Sequence, residues 1–254
     1  MTALPDIFLH LPLAHRGLHG DGVPENSRAA FEAAIAAGYG IELDLQLSRD
    51  EEAMVFHDYD LGRLTGESGP VRKRDAAALG AIPLSGGNGE GIPTLREVLA
   101  LVAGRAPLLI ELKDQDGQMG PDVGKLEVAT AAALQDYEGP AALMSFNPHS
   151  VAVLSRIASQ WPRGLTTSEF DPGDWAPLPP RVCMHLRNMP DFETCGASFI
   201  SHELHDLNRV RVAELRSTGV PVLCWTVKSP EDEARARIYA DNITFEGYRP
   251  ELPA

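Results

Sequence analysis

The chain has 254 residues, 44% of them hydrophobic and 23% charged, ordinary values for a globular protein. Its 36 acidic and 22 basic side chains give a formal net charge of −14, which excludes binding along a phosphate backbone as the main activity and speaks against a nucleic-acid partner. No apolar run approaches the roughly 18 residues of a spanning helix. Residues 1–12 contain Asp6 and His10 and lack a positive n-region, so no secretory signal is expected.

Strand-like runs fall at 13–15, 40–47, 53–57, 108–112, 142–146, 164–167, 198–201, 220–226 and 242–245. Helix-like stretches fall between most of them, at 28–37, 95–103, 124–135, 150–160, 207–218 and 231–240. Asn26 or Ser27 starts the first helix; Thr94 with Glu97 is a capping-box spacing; Ser229 with Pro230 is another start. Gly38 and Gly219 suit the left-handed position that closes a helix. Strand–helix alternation over a whole chain of about 250 residues predicts an α/β fold, a single-domain (β/α)8 TIM barrel spanning 1–254. Nine strands are one too many. Run 53–57 follows 40–47 too closely for a helical crossover, so it reads as a rim extension after the second strand. The Gly-rich stretch 85–91 lacks the Lys-Ser/Thr of a P-loop, and 171–180 has four prolines; both read as loops.

The chemistry gathers at predicted strand ends: His15-Arg16, Glu42-Leu43-Asp44, His57-Asp58 and Glu111-Leu112-Lys113. Residues two apart on a strand share a face, so Glu42 pairs with Asp44 and Glu111 with Lys113. The intervening aliphatics then face the helices, and the acids face the barrel interior. Carboxylates packed inward repel and lose hydration unless a cation neutralises them. An all-oxygen set, Glu42, Asp44 and Glu111, favours Mg2+, Ca2+ or Mn2+ over zinc. His15 and His57 are the candidate acid and base. Arg16 and Lys113 are donors suited to a phosphate. Phe146 and Trp225 end strands, where pocket and core roles are equally open. The spacings His202-x-x-His205 and Cys183-x-His185…Cys195 form no well-shaped zinc set, and His10, His19 and His149 read as ordinary. Three cysteines without a CxxC spacing point to a reducing compartment, the cytoplasm.

These residues resemble the glycerophosphodiester phosphodiesterase family in order and spacing. His15-Arg16-Gly17, Pro24-Glu25-Asn26-Ser27, Glu42-Leu43-Asp44, His57-Asp58, 60–66, 92–95, Glu111-Leu112-Lys113 and Trp225-Thr226-Val227 carry the likeness. The resemblance implies a site at the C-terminal strand ends of a TIM barrel. It implies one divalent cation on Glu42, Asp44 and Glu111, catalytic His15 and His57, and phosphate contacts from Arg16 and Lys113, with Glu25 close by. The activity implied is hydrolysis of a small glycerophosphodiester to glycerol 3-phosphate and an alcohol, without stable membrane association. A lysophospholipase D- or sphingomyelinase-like enzyme and a non-catalytic binder of metal and phosphate are the alternatives. Ser27 replaces the family's Thr, and Glu51 stands where Gly is usual. Lys228 replaces a common Asn, and 243–246 departs from the usual Thr-Asp at the last strand end, which bears on substrate identity.

Overall fold

The computed structural model describes residues 2–253. In chain order the elements are α1 (Ile7–His10), β1 (Leu13–Ala14), α2 (Arg28–Ala37), β2 (Gly40–Leu47), β3 (Ala53–Val55), α3 (Ala76–Gly80), α4 (Leu95–Val102), β4 (Leu108–Leu112), α5 (Lys125–Ala133), β5 (Ala141–Ser145), α6 (Pro148–Ile157), β6 (Arg163–Thr167), α7 (Pro180–Asn188), β7 (Phe199–Glu203), α8 (Val210–Ser217), β8 (Val222–Val227), α9 (Pro230–Tyr239) and β9 (Asn242–Phe245). The strands run β1-β9-β8-β7-β6-β5-β4-β2, and β1 also pairs with β2, which closes a barrel of parallel strands with helices between them. The ninth strand, β3, pairs antiparallel with the end of β2. β1 pairs with β2 only at Gly40 and Ile41, so β3 covers the edge of β2 that β1 leaves open. The surplus strand is the rim extension its spacing predicts.

Alternation on β2 and β4 sorts the side chains. Ile41, Leu43, Leu45, Ile110 and Leu112 join the large apolar layer between barrel and helices. Inside, Leu13, Leu109, Ala142, Met144, Phe199 and Leu223 pack with Leu4 and with Phe8 of α1. This fills the barrel interior away from the strand ends that carry the polar groups. β6 approaches closely here: a Cβ on Gly164 would lie 2.4 Å from the Phe199 ring.

Local chemistry sets the helix starts. Thr94 accepts from the Glu97 amide and Glu97 from the Thr94 amide, a complete capping box. Ser229 accepts from the Asp232 amide. Of the two candidates for α2, Ser27 is the cap, accepting from the Ala30 amide at 3.0 Å. Asn147 caps α6, which therefore starts at Pro148, earlier than the expected 150. Of the expected loop 171–180, residues 171–179 are turn-rich loop. They lead into α7, a helix absent from the sequence reading: Pro180 stands in its first turn and only Cys183 and Leu186 are buried.

Candidate active site

Asp44 of β2 and Glu111 of β4 are direct cross-strand partners. With Glu42 they point into the barrel mouth, each at most 5% exposed, and one oxygen from each lies within 4.8 Å of the others. Burial, then the charges of Asp44 and Glu111, push the Glu42 carboxyl well above the usual carboxylate range. Burial likewise raises Glu111. Asp44 goes the other way. Burial opposes its ionisation, but Lys113, His57 and Arg16 hold its carboxyl well below the usual range. The Lys113 ammonium supplies this charge: it sits 2.7 Å from Asp44 and hydrogen-bonds Glu111. Burial alone would lower the Lys113 pKa, and the two carboxylates raise it above its ordinary value. A cation already stands in the acidic cluster as a side-chain ammonium, and the all-oxygen donor set fits a hard divalent ion.

The two histidines flank this cluster. His15 follows β1 directly, and its Nδ1 lies 2.6 Å from Glu246 Oε2. Its Nε2 lies 4.0 Å from Glu42. The His15 hydrogen bond and Lys228, 2.7 Å away, hold the Glu246 carboxyl far below its ordinary pKa. Glu246 is therefore an acceptor, His15 Nδ1 carries the proton, and Nε2 keeps its lone pair. His57 is built the same way, with Nδ1 2.6 Å from Asp58 Oδ1. Burial, then the Lys113 charge, lower the His57 pKa to about 4.

A chain of ion pairs surrounds the site. Arg16 has a left-handed backbone at φ 56°; its amide donates to Glu42 at 3.0 Å, and its guanidinium reaches Glu25 at 2.8 Å and Asp44 at 3.3 Å. Arg63 bridges Glu25 at 2.7 Å and Asp58 at 2.6 Å. Asn26, also left-handed, is free of capping and donates to Asp44 at 2.9 Å.

The cavity above the cluster measures about 360 Å3. His15, Arg16, Glu42, Asp44, His57, Glu111, Lys113, Phe146 and Trp225 all line it. Glu25 lies behind the wall, bonded to Arg16 and Arg63. Phe146 meets Trp225 edge to face at 5.5 Å and packs on Trp175 at 4.9 Å. The sequence reading missed Lys228, Arg63 and the role of Glu246. The unusual residues at 228 and 246 were its only signal for that pair. His202 of the unused His202-x-x-His205 spacing is buried and bonded to Thr167 at 2.8 Å.

A parallel barrel with buried carboxylates, two oriented histidines and an arginine at its strand ends is the form of a phosphoric diester hydrolase. The sequence matches the family model of the glycerophosphoryl diester phosphodiesterases over residues 15–241, and the chain belongs to that family. It is 29% identical over 231 residues to the Bacillus subtilis protein YhdW, covering 88% of each. It is 25% identical over 266 residues to the glycerophosphodiester phosphodiesterase of Bacillus subtilis, covering 94% of this chain and 83% of the other. Among solved structures, the fold is similar to that of an Oleispira antarctica phosphodiesterase in complex with the product sn-glycerol-3-phosphate, with a TM-score of 0.75, 23% identity and 93% of each chain covered.

Proposed function

We propose that this protein hydrolyses small glycerophosphodiesters, such as those of choline or ethanolamine, to glycerol 3-phosphate and the free alcohol, using one divalent cation held by Glu42, Asp44 and Glu111. The observation that carries the reading is the pair of carboxylate-oriented histidines beside a buried triad of acids. When bound, the cation, Mg2+ or Ca2+ with Mn2+ as a third candidate, would neutralise charge on the phosphoryl oxygens. Arg16 lines the cavity and offers the phosphate a fixed donor fork, which Glu25 holds from behind. Lys113 adds positive charge at the same wall. His15, with its lone pair on Nε2, is the base that takes a proton from the attacking hydroxyl, whether the glycerol 2-hydroxyl or water. His57 is the acid that protonates the leaving alkoxide. Its pKa of about 4 belongs to the substrate-free protein, where burial and Lys113 oppose protonation; an anionic phosphate beside the ring acts in the opposite sense. Proton transfer of this kind contributes about 100- to 10,000-fold per group.

The match over residues 15–241 supports reading the chain as one catalytic domain. The three cysteines are free and buried, which supports a reducing compartment, the cytoplasm. Among the described residues no helix is long and apolar enough to cross a membrane.

His15→Ala and His57→Ala test the scheme. Each should lower kcat by at least about 100-fold with metal binding retained. Full activity in either variant would overturn it. One observation favours a second reading: a groove of about 540 Å3 beside the aromatic wall, lined in part by Met119, Trp175 and Leu178, has room for the acylated glycerol of a lysophospholipid. Hydrolysis of lysophosphatidylcholine faster than glycerophosphocholine would select it.

A further inference from the structure

A second group of metal-ligating side chains lies on the opposite side of His15 from the acids. His19 Nε2 is 3.9 Å from Glu246 Oε2, the same oxygen that His15 Nδ1 meets at 2.6 Å. One donor atom from each of the three residues falls within 4.8 Å of the others. The His19 Nε2 atom is buried and has no hydrogen-bond partner. The loop that presents it is tightly held. The His19 amide donates to Gly17 at 2.9 Å, and Gly20 and Val23 exchange two backbone hydrogen bonds at 3.0 Å. Gly17 takes φ 79° against α2, where a Cβ would lie 2.8 Å from Ala30.

We propose that His15, His19 and Glu246 form a second cation site, selective for zinc over the hard cations of the acidic cluster, and that zinc bound there stops catalysis by His15. Two imidazoles and a glutamate are a known zinc ligand set with an open fourth position, and imidazole favours zinc where carboxylates favour Mg2+ or Ca2+. Lys228 holds Glu246 by its other oxygen, Oε1, which leaves Oε2 for the metal. The inhibitory step rests on the base role proposed for His15. Zinc takes the Nδ1 lone pair, the ring proton moves from Nδ1 to Nε2, and Nε2 becomes a donor that cannot accept the substrate proton.

The test is titration of the purified full chain with Zn2+ alone, by calorimetry and by competition with a zinc indicator, for the wild type, His19→Ala, His19→Gln and Asp44→Asn. The expected result is that both His19 variants lose affinity while Asp44→Asn retains it. The loss should be about tenfold or more, since even an outer-shell partner of a metal-bound histidine contributes 10- to 100-fold. In parallel, Zn2+ should inhibit Mg2+-supported hydrolysis of glycerophosphocholine by the wild type. The His19 variants should turn over normally and resist Zn2+. Zinc binding and inhibition unchanged in both His19 variants would overturn the proposal. If no cation supports hydrolysis, the proposed activity fails, while the calorimetric difference between wild type and the His19 variants still decides the site.

Discussion

His15 and Glu246 are 231 residues apart and joined by a 2.6 Å hydrogen bond across the seam that closes the barrel. The register makes the contact: Ala14 of β1 pairs with Phe245 of β9, and each functional residue is the next one along. The His15 amide donates to Phe245 at 2.9 Å, so the ring is fixed from its backbone as well. Glu246→Ala should lower kcat by about 100-fold or more, with KM changed little, because the imidazole loses its tautomer and its orientation. Glu246→Asp should recover part of the rate. Steady-state kinetics on glycerophosphocholine separate the two parameters, and an unchanged kcat in Glu246→Ala would refute the role.

Lys113 should matter most when no metal is bound. It is the ammonium that meets both Asp44 and Glu111. Removing one partner of a buried ion pair costs about 3–5 kcal/mol. Lys113→Met should therefore lower Tm sharply in EDTA, and divalent cation should restore more stability to the variant than to the wild type. Thermal unfolding with and without Mg2+ reads this directly; equal metal effects on the two proteins would count against it.

The low pKa of His57 sets an acid limb to stability. A pKa of about 4 in the fold, against 6.5 for the free side chain, means the unfolded chain binds more protons between those values. Stability contributed by neutral His57 is complete above pH 6.5 and is lost as pH falls to 4. His57→Gln should flatten this part of the profile, measured by urea unfolding of the metal-free protein. An identical slope in the variant would show that His57 does not titrate this way.

Arg63 and Glu25 are predicted to act as a unit. Arg63 ties Glu25 to Asp58, and so connects the carboxylates that accept from Arg16 and His57. In a double-mutant cycle on kcat/KM, Arg63→Ala and Glu25→Ala should be non-additive by about 0.5–3 kcal/mol. Additive losses would mean two independent contacts.

Much of this site was legible because its pattern is local. An acid at every second position of 42–44, flanked by aliphatics, fits the inward face of a strand once strand–helix alternation points to a barrel; alone it reads equally as the polar face of a solvent-exposed strand. Ser27 and Asn26 could not be separated as caps, since the deciding contact, Asn26 to Asp44, lies between different elements. Helix α7 escaped because it opens on Pro180, the last of four closely spaced prolines that read as loop, and its exposed positions Arg181, Met184 and Asn188 leave only Cys183 and Leu186 buried. Glu246 stood out as an oddity at a strand end, but its partner is at the other end of the chain. His19 has no feature in the sequence that distinguishes it from a surface histidine. Long-range pairs of this kind depend on barrel closure and register, which no short window contains.

The measurement that tests the account most directly is release of glycerol 3-phosphate from glycerophosphocholine and glycerophosphoethanolamine, with Mg2+, Ca2+ or Mn2+ and with EDTA. Release that EDTA abolishes, that added cation restores and that Asp44→Asn lacks is the predicted result. Release that persists in EDTA, or its absence with every cation, would contradict the account.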